Sequence, residues 1–290
     1  MILWGGTLSQ APVEHRLFAA ARAGFHAISV APMDFGPPDR ILQRADCVAK
    51  LANRLNISVA CIDPVTSWLP LPLQAGSIPT ANPAQRRYGD LFGRYSVSEC
   101  LRLAERLGST TISAIEPYGV DFGHQLVVDS FAALCESAAD RGLTIQLEPM
   151  PFSSIFDLAT AHRIVADSSA KNAGIVFDTW HFDRSGGTRD QLRTLPRGIV
   201  TSIQLNDGRR SEAEDLWEEA STQRLLPGEG SFGIAESIDA LAGRLADSPL
   251  IGPEVISADH RLSPVDYVAQ IAYDACLPYA QRAGLDIDPV

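Results

Sequence analysis

One rhythm runs through the chain: a short apolar run, a polar loop, then a stretch with helical spacing. Eight runs keep that order, at residues 2–4, 27–30, 57–61, 110–115, 144–147, 174–177, 199–205 and 250–256. They are rich in Val, Ile, Leu and Ala and alternate little. That is the pattern of parallel strands buried on both faces. The stretches between them carry helix punctuation. Residues 13–23 begin after Pro12 and stop at Gly24; 97–107 stop at Gly108; 129–141 stop at Gly142. In 40–55 the apolar residues Ile41, Ala45, Val48, Leu51 and Leu55 recur at the helical period. Residues 157–166 open on Asp157 as a cap, and 234–245 and 264–282 read as the last helices. Alternating β and α predicts a parallel sheet, either a closed barrel or a doubly wound open sheet. The GxGxxG fingerprint of the open sheet is absent after the first run, where Gly5-Gly6-Thr7 stands instead. Eight units in 290 residues match the size of a barrel. The expected fold is α/β, a (β/α)8 TIM barrel, and no composition shift marks a linker within 1–290, so one domain is expected.

Charge narrows the partners. Lys and Arg number 24 against 35 Asp and Glu, a formal charge of −11, and no basic patch offsets it. Such a chain repels polyphosphate, so no nucleic-acid partner is expected. No apolar stretch approaches the roughly 18 residues of a membrane span, and the first residues lack a signal-peptide pattern. A soluble cytoplasmic protein is expected, with no membrane partner. The five cysteines, Cys47, Cys61, Cys100, Cys135 and Cys276, include no CxxC pair. Buried reduced thiols are expected rather than disulfides or a zinc–thiolate site.

In a barrel, polar residues at the C-terminal ends of strands face the site. Four successive runs end on such residues: Glu148, Asp178, Gln204 and Glu254. Converging carboxylates repel unless something positive lies between them. Three acids and an amide oxygen form a hard donor set suited to Mn²⁺, Mg²⁺ or Co²⁺. Read singly, each has another reading: Glu148 in an ion pair, Asp178 as a helix cap, Gln204 as a core amide, Glu254 on the surface. Long loops follow the third and seventh runs, at 64–95 and 206–230, and read as lids or as tolerated insertions.

With these segments the chain resembles the xylose-isomerase-like TIM-barrel superfamily of sugar-phosphate isomerases and epimerases. The resemblance is carried by Leu147-Glu148-Pro149, Phe177-Asp178-Thr179-Trp180-His181, Ile203-Gln204-Leu205-Asn206-Asp207, the run from Arg224 to Gly230, and Glu254. It covers most of the chain, with its specific motifs in the second half. By resemblance to the ketose 3-epimerases, Glu148 and Glu254 are metal ligands that also move protons, Asp178 is a ligand, and His181 and Arg224 contact substrate. Gln204 departs from the histidine common in those epimerases and is similar to the glutamine of 3-dehydroshikimate dehydratases. An amide oxygen remains a competent ligand for a hard divalent ion. Trp4 and Trp68 read either as an apolar wall beside a sugar or as barrel packing.

The chemistry implied is proton transfer next to a carbonyl, through an enediolate stabilised by one divalent ion, with Glu148 as base and Glu254 as its counterpart. The expected activity is an isomerase or epimerase acting on a keto-sugar or cyclitol-like polyol. The alternative is a dehydratase or keto-glycoside lyase, which Gln204 favours. A third reading is a non-catalytic binding barrel. Abasic-site endonuclease IV shares the superfamily fold, but its zinc cluster needs more histidines and the acidic charge opposes DNA. A homo-oligomer is left open, since no helix face is distinctive enough to assign.

Overall fold

The structure, a computed structural model, describes residues 1–70, 82–211 and 213–286. In chain order the elements are β1 (Ile2–Leu3), α1 (Val13–Ala23), β2 (Ala27–Val30), α2 (Ile41–Arg54), β3 (Ser58–Val65), α3 (Pro83–Phe92), α4 (Val97–Leu107), β4 (Thr111–Ala114), α5 (His124–Ala139), β5 (Thr144–Leu147), α6 (Leu158–Ser168), β6 (Ala173–Asp178), α7 (Thr179–Arg184), α8 (Arg189–Thr194), β7 (Val200–Leu205), α9 (Leu216–Thr222), α10 (Ile234–Ala240), β8 (Leu245–Pro253) and α11 (Val265–Arg282). The eight strands form one parallel sheet in sequential order. It curls back on itself where the Trp4 N–H donates to Pro253 O (3.2 Å). The sequence expectation of an eight-stranded α/β barrel therefore holds. No described helix is long and apolar enough to cross a membrane.

Local chemistry sets the helix ends. Ser96 and Glu99 form a reciprocal cap on α4, with Ser96 N–H donating to Glu99 Oε2 (2.8 Å). Asp157 accepts the Thr160 N–H (2.8 Å) at the start of α6. Two expected helix ends move by five residues each. α5 starts at His124, five residues early. The stretch expected to be helical to 245 ends at Ala240, because β8 begins at Leu245 and pairs it with Val200. Four further helices are present: α3 and α9 lie in the stretches read as long loops, and α7 and α8 follow β6, α7 being the helix that Asp178 caps.

The main core fills the layer between strands and helices, where Leu17, Val48, Leu103, Phe131, Ile164 and Cys276 are buried. Each large apolar side chain buried there contributes about 1.5–3 kcal/mol. Four cysteines are buried, Cys47 is exposed, and all are free thiols. Beneath the mouth the interior is polar yet satisfied. Buried Gln146 on β5 donates to Ser113 Oγ (2.8 Å) and accepts from Ser202 Oγ (2.6 Å) and Thr201 Oγ1 (2.9 Å). A fully bonded layer of this kind rigidifies the platform below a site.

The closing seam depends on one glycine. A Cβ at Gly252 would lie 1.7 Å from the Ile2 carbonyl oxygen, so no side chain fits where β8 meets β1. Gly252→Ala should therefore destabilise the barrel by about 3 kcal/mol or more, the upper range of overpacking. The check is the urea midpoint; an unchanged midpoint would show that the seam yields freely.

Candidate functional site

The strand ends bring the predicted side chains to one face. The Glu148 N–H continues the sheet ladder by donating to Ala114 O (3.1 Å), and the Glu254 N–H donates to Leu205 O (3.0 Å). Asp178 and Gln204 are register partners on β6 and β7. Asp178 also caps α7: its Oδ1 accepts the N–H groups of Trp180 (2.8 Å) and His181 (2.9 Å). The predicted cap and the predicted site residue are thus one side chain. The single turn that it starts carries His181 back to the cluster. Glu148, Asp178, His181, Gln204, Arg224 and Glu254 are all buried, none more than 8% exposed.

Glu148, Asp178 and His181 each present a ligand atom, all within 4.8 Å of one another. His181 Nε2 lies 3.4 Å from Glu148 Oε1. With its amide nitrogen inward, Gln204 donates to Glu148 Oε1 (3.1 Å) and Asp178 Oδ2 (3.2 Å). Turned oxygen-inward, the same group would join them at about 3 Å, the spacing of neighbouring oxygens around one small divalent ion. Glu254 stands to one side, held by Arg224. Arg224 Nη1 donates to Asp178 Oδ2 (2.8 Å) and Glu254 Oε2 (3.1 Å), and Nη2 lies 3.2 Å from His181 Nε2. The positive group that converging acids require is this guanidinium. It stacks over Trp180, 5.5 Å from the ring centre.

Burial sets the charge states. It raises the Glu148 carboxyl to about 8, with the Asp178 charge adding and Arg224 opposing. It also holds Glu254 well above the usual carboxylate range. Burial acts on Asp178 in the same sense, but Arg224, His181 and the hydrogen bonds outweigh it, and that carboxyl lies below its ordinary value. His181 is pushed down to about 3 by burial, so its ring is neutral. Its Nδ1 is buried without a hydrogen-bond partner among the described residues.

The cluster opens into a cavity of about 350 Å³. Trp4 and Trp68, which read either as a wall beside a sugar or as barrel packing, do not line it. Trp4 packs with Ile2, Ala27, Ala60 and Cys61 and reaches across the barrel to donate to Ile203 O (3.3 Å). Trp68 packs edge-on to Phe131 in the outer core and donates to Ile115 O (2.8 Å). Both indoles are consumed by packing and a buried acceptor. The aromatic wall is instead Tyr88, Phe92, Phe152 and Trp217. Trp217 meets Tyr88 (5.2 Å between ring centres) and Phe152 (5.1 Å). Asn82 and Asp215, the caps of α3 and α9, are joined by a 2.5 Å hydrogen bond. The segments after β3 and β7 therefore meet at the mouth, while residues 71–81 of the first loop lie outside the described residues.

Sequence reasoning missed Asp63, which lines the cavity and is raised to about 8 by burial and the Glu148 charge. It sits in β3, two residues past the run read at 57–61, so the strand-end rule would have found it. Arg16, also at the cavity, carries no sequence signal beyond its place in a helix.

The profile of the xylose isomerase-like TIM barrel family matches residues 17–273. No curated protein matches the chain in sequence. Among solved structures, a xylose isomerase-like TIM barrel/4-hydroxyphenylpyruvate dioxygenase fusion protein is similar at 18% identity and TM-score 0.77. That match covers 99% of this chain but 45% of the fusion protein, so the chain spans under half of its length. The IolI protein with a binding zinc atom is similar at 15% identity and TM-score 0.76, covering 97% of both chains. A D-psicose 3-epimerase in the presence of D-fructose is similar at 16% identity and TM-score 0.68, covering 98% of this chain and 99% of the other.

The crowded carboxyls carry a pH signature. Glu148 and Asp63 keep protons up to about pH 8 in the folded metal-free protein, whereas an unfolded chain has shed them by about pH 5. The folded state then binds more protons than the unfolded one, so stability falls as pH rises. His181 acts in the opposite sense only below its ordinary value of 6.5. The chelated protein should therefore show a lower urea midpoint at about pH 8 than at about pH 6.5, and Asp63→Asn should flatten the fall. A midpoint that rises across this window would contradict the charge assignment.

Proposed function

Because the chain belongs to the xylose isomerase-like TIM barrel family, we propose that it is a divalent-metal-dependent isomerase or epimerase of a keto-sugar or cyclitol-like polyol. The observation that carries the reading is the buried Glu148–Asp178–His181 cluster with the Gln204 amide against both carboxylates. This donor set suits a hard divalent ion such as Mn²⁺, Mg²⁺ or Co²⁺. The Nδ1 of the neutral imidazole, buried and without a partner among the described residues, offers a lone pair to an ion in the tautomer that leaves it unprotonated. Glu148, Asp178, Gln204 and His181 would hold the ion. Glu254 completes the set if Arg224 releases it. When bound, the ion supplies Lewis-acid stabilisation of the negative charge that develops on the substrate carbonyl.

The remaining work falls to the chain itself. Glu148, its carboxyl raised to about 8 without an ion, is ionised when it serves as a ligand and is then the base placed to take a proton next to a carbonyl. Glu254, its carboxyl held well above the usual range, keeps a proton to return from another wall of the cavity. Return to the opposite face of the same carbon epimerises; return to the neighbouring carbon isomerises. Arg224 bridges Asp178 and Glu254, gives its Nε–H to Ala220 O, and has one Nη2 N–H left for a substrate oxygen. The aromatic wall limits water at the reacting carbon.

Gln204 favours a second reading, a dehydratase or lyase in which the same proton abstraction expels a β-substituent. Heavy water separates the two: an intact carbon skeleton carrying new deuterium marks an epimerase, and an unsaturated product marks a lyase.

Metal content is the primary test. The wild-type protein should carry about one divalent ion, and Asp178→Asn, which keeps the α7 cap, should weaken its binding at least about tenfold. Glu148→Gln should retain the fold and lower turnover by about 10²–10⁴-fold. Failure of the wild type to bind any divalent ion would sink the enzyme reading and favour a binding barrel.

A further inference from the structure

The cavity has a second end. In the sequential eight-stranded barrel β1 and β5 lie four strands apart, on opposite walls. The acidic cluster belongs to β5–β8; the segments after β1 and β2 face Glu148 and Asp178 across the mouth, with Gly6 abutting Glu254 at the β8 seam. There α1 sets Arg16, 3% exposed, against the cavity. Bare Gly5 makes room for it, since a Cβ there would lie 2.9 Å from Arg16 Nη1. Arg16 Nη2 pairs with Asp34 Oδ2 in the turn after β2, and the same oxygen accepts the Ala31 N–H (2.8 Å). Asp34 is the one ion-pair partner of Arg16 among the described residues. A guanidinium has five N–H donors, so one carboxylate oxygen leaves hydrogen-bonding capacity over. It leaves no charge over.

We infer that this wall is the specificity end of the site: the Arg16–Asp34 pair receives a hydroxyl of an uncharged polyol and turns away phosphorylated or carboxylated counterparts. The inference rests on the reading of the acidic cluster as an isomerase or epimerase centre. A hydroxyl accepts from one group and donates to another. Arg16 offers the donor, and Asp34, with Oδ2 taken, offers Oδ1. An anion meets a different balance. Arg224 is committed to Asp178 and Glu254, and Arg16 to Asp34. Arg261, at the exposed rim, donates to Ser221 O (2.7 Å). Among the described cavity-lining residues no buried cation lacks a matching carboxylate, and Arg261 lies at the exposed rim, so a phosphate at the Arg16–Asp34 wall would be desolvated without a compensating charge.

Asp34→Asn tests this directly. Asparagine keeps an acceptor for the Ala31 N–H and frees the charge of Arg16. Neutral ketohexoses and inositols and their monophosphates would be titrated calorimetrically into Mn²⁺-loaded wild type, Asp34→Asn, and Arg16→Gln/Asp34→Asn. Melting curves check that each variant is folded. In wild type at least one neutral probe should bind, at least about tenfold more tightly than its monophosphate. Asp34→Asn should shift that ratio about tenfold or more toward the monophosphate, and the double variant should weaken the neutral probe about tenfold. Mn²⁺ affinity should be unchanged in both. A wild type that prefers the monophosphate, binds no neutral probe, or gives the same ratio as Asp34→Asn overturns the inference. Absence of Mn²⁺ binding sinks the metal reading instead, and the same comparison on metal-free protein then decides the charge preference separately.

Discussion

Arg224 is the cation around which the mouth of this barrel is arranged. It bonds Asp178 and Glu254 at once and lies against His181. In a low-dielectric interior, removing one partner of such a group costs about 3–5 kcal/mol, even though the intact network contributes little net stability. The backbone around it is accordingly fixed. Its N–H donates to Ile256 O (3.2 Å), and Leu225 and Asp207 exchange two N–H···O bonds of 2.9 Å. The Asp207 carboxylate then holds the N–H groups of Gly228 (3.0 Å) and Phe232 (3.1 Å). The Arg-to-Gly run after β7 is thereby a support for one guanidinium.

Asp178 transmits that constraint. One oxygen starts α7, and the other takes Arg224 and the Asn206 amide (3.0 Å). The orientation of His181 follows from the helix turn together with its 3.2 Å contact to Arg224 Nη2. From the other side, buried Glu219 on α9 accepts from Arg184 (2.5 Å) and the Trp180 indole (3.3 Å), tying α7 to the segment that carries Trp217 and Arg224. A site whose side chains are oriented by their neighbours is organised before substrate arrives.

What the sequence disclosed follows from barrel geometry. Apolar runs end where strands end, and strand ends face the mouth, so Glu148, Asp178, Gln204 and Glu254 could be read from order alone. Arg224 needed the motif, because nothing in its spacing points inward. The tryptophans were illegible in a specific way. An indole satisfies packing and a buried acceptor equally well inside the barrel, outside it or at its mouth, and Trp4 and Trp68 took the first two places. The true aromatic wall rides on α3, α9 and, at Phe152, the turn after β5; both helices lie inside stretches that read as long loops. Arg16 escaped for the converse reason. A basic residue in an amphipathic helix reads as solvated, and only the close approach of Gly5 and Asp34 turns it inward.

The charge bookkeeping of the cavity ties stability to chemistry. Asp63, Glu148 and Glu254 are all carried above their ordinary values, chiefly by burial. Apolar residues of similar volume would serve the fold as well or better. Such groups impose a cost on the folded state, and they gather at the one place where a cation, a substrate proton or both would relieve it. The two buried arginines differ in what they leave available. Arg224 spreads its charge over two carboxylates of the acidic cluster, whereas Arg16 is matched one-to-one with Asp34. One wall therefore gathers carboxyls kept protonated by burial around Arg224, and the other has neutral hydrogen-bonding capacity. That polarity would orient a substrate with its carbonyl toward β5–β8 and an uncharged hydroxyl end toward β1 and β2.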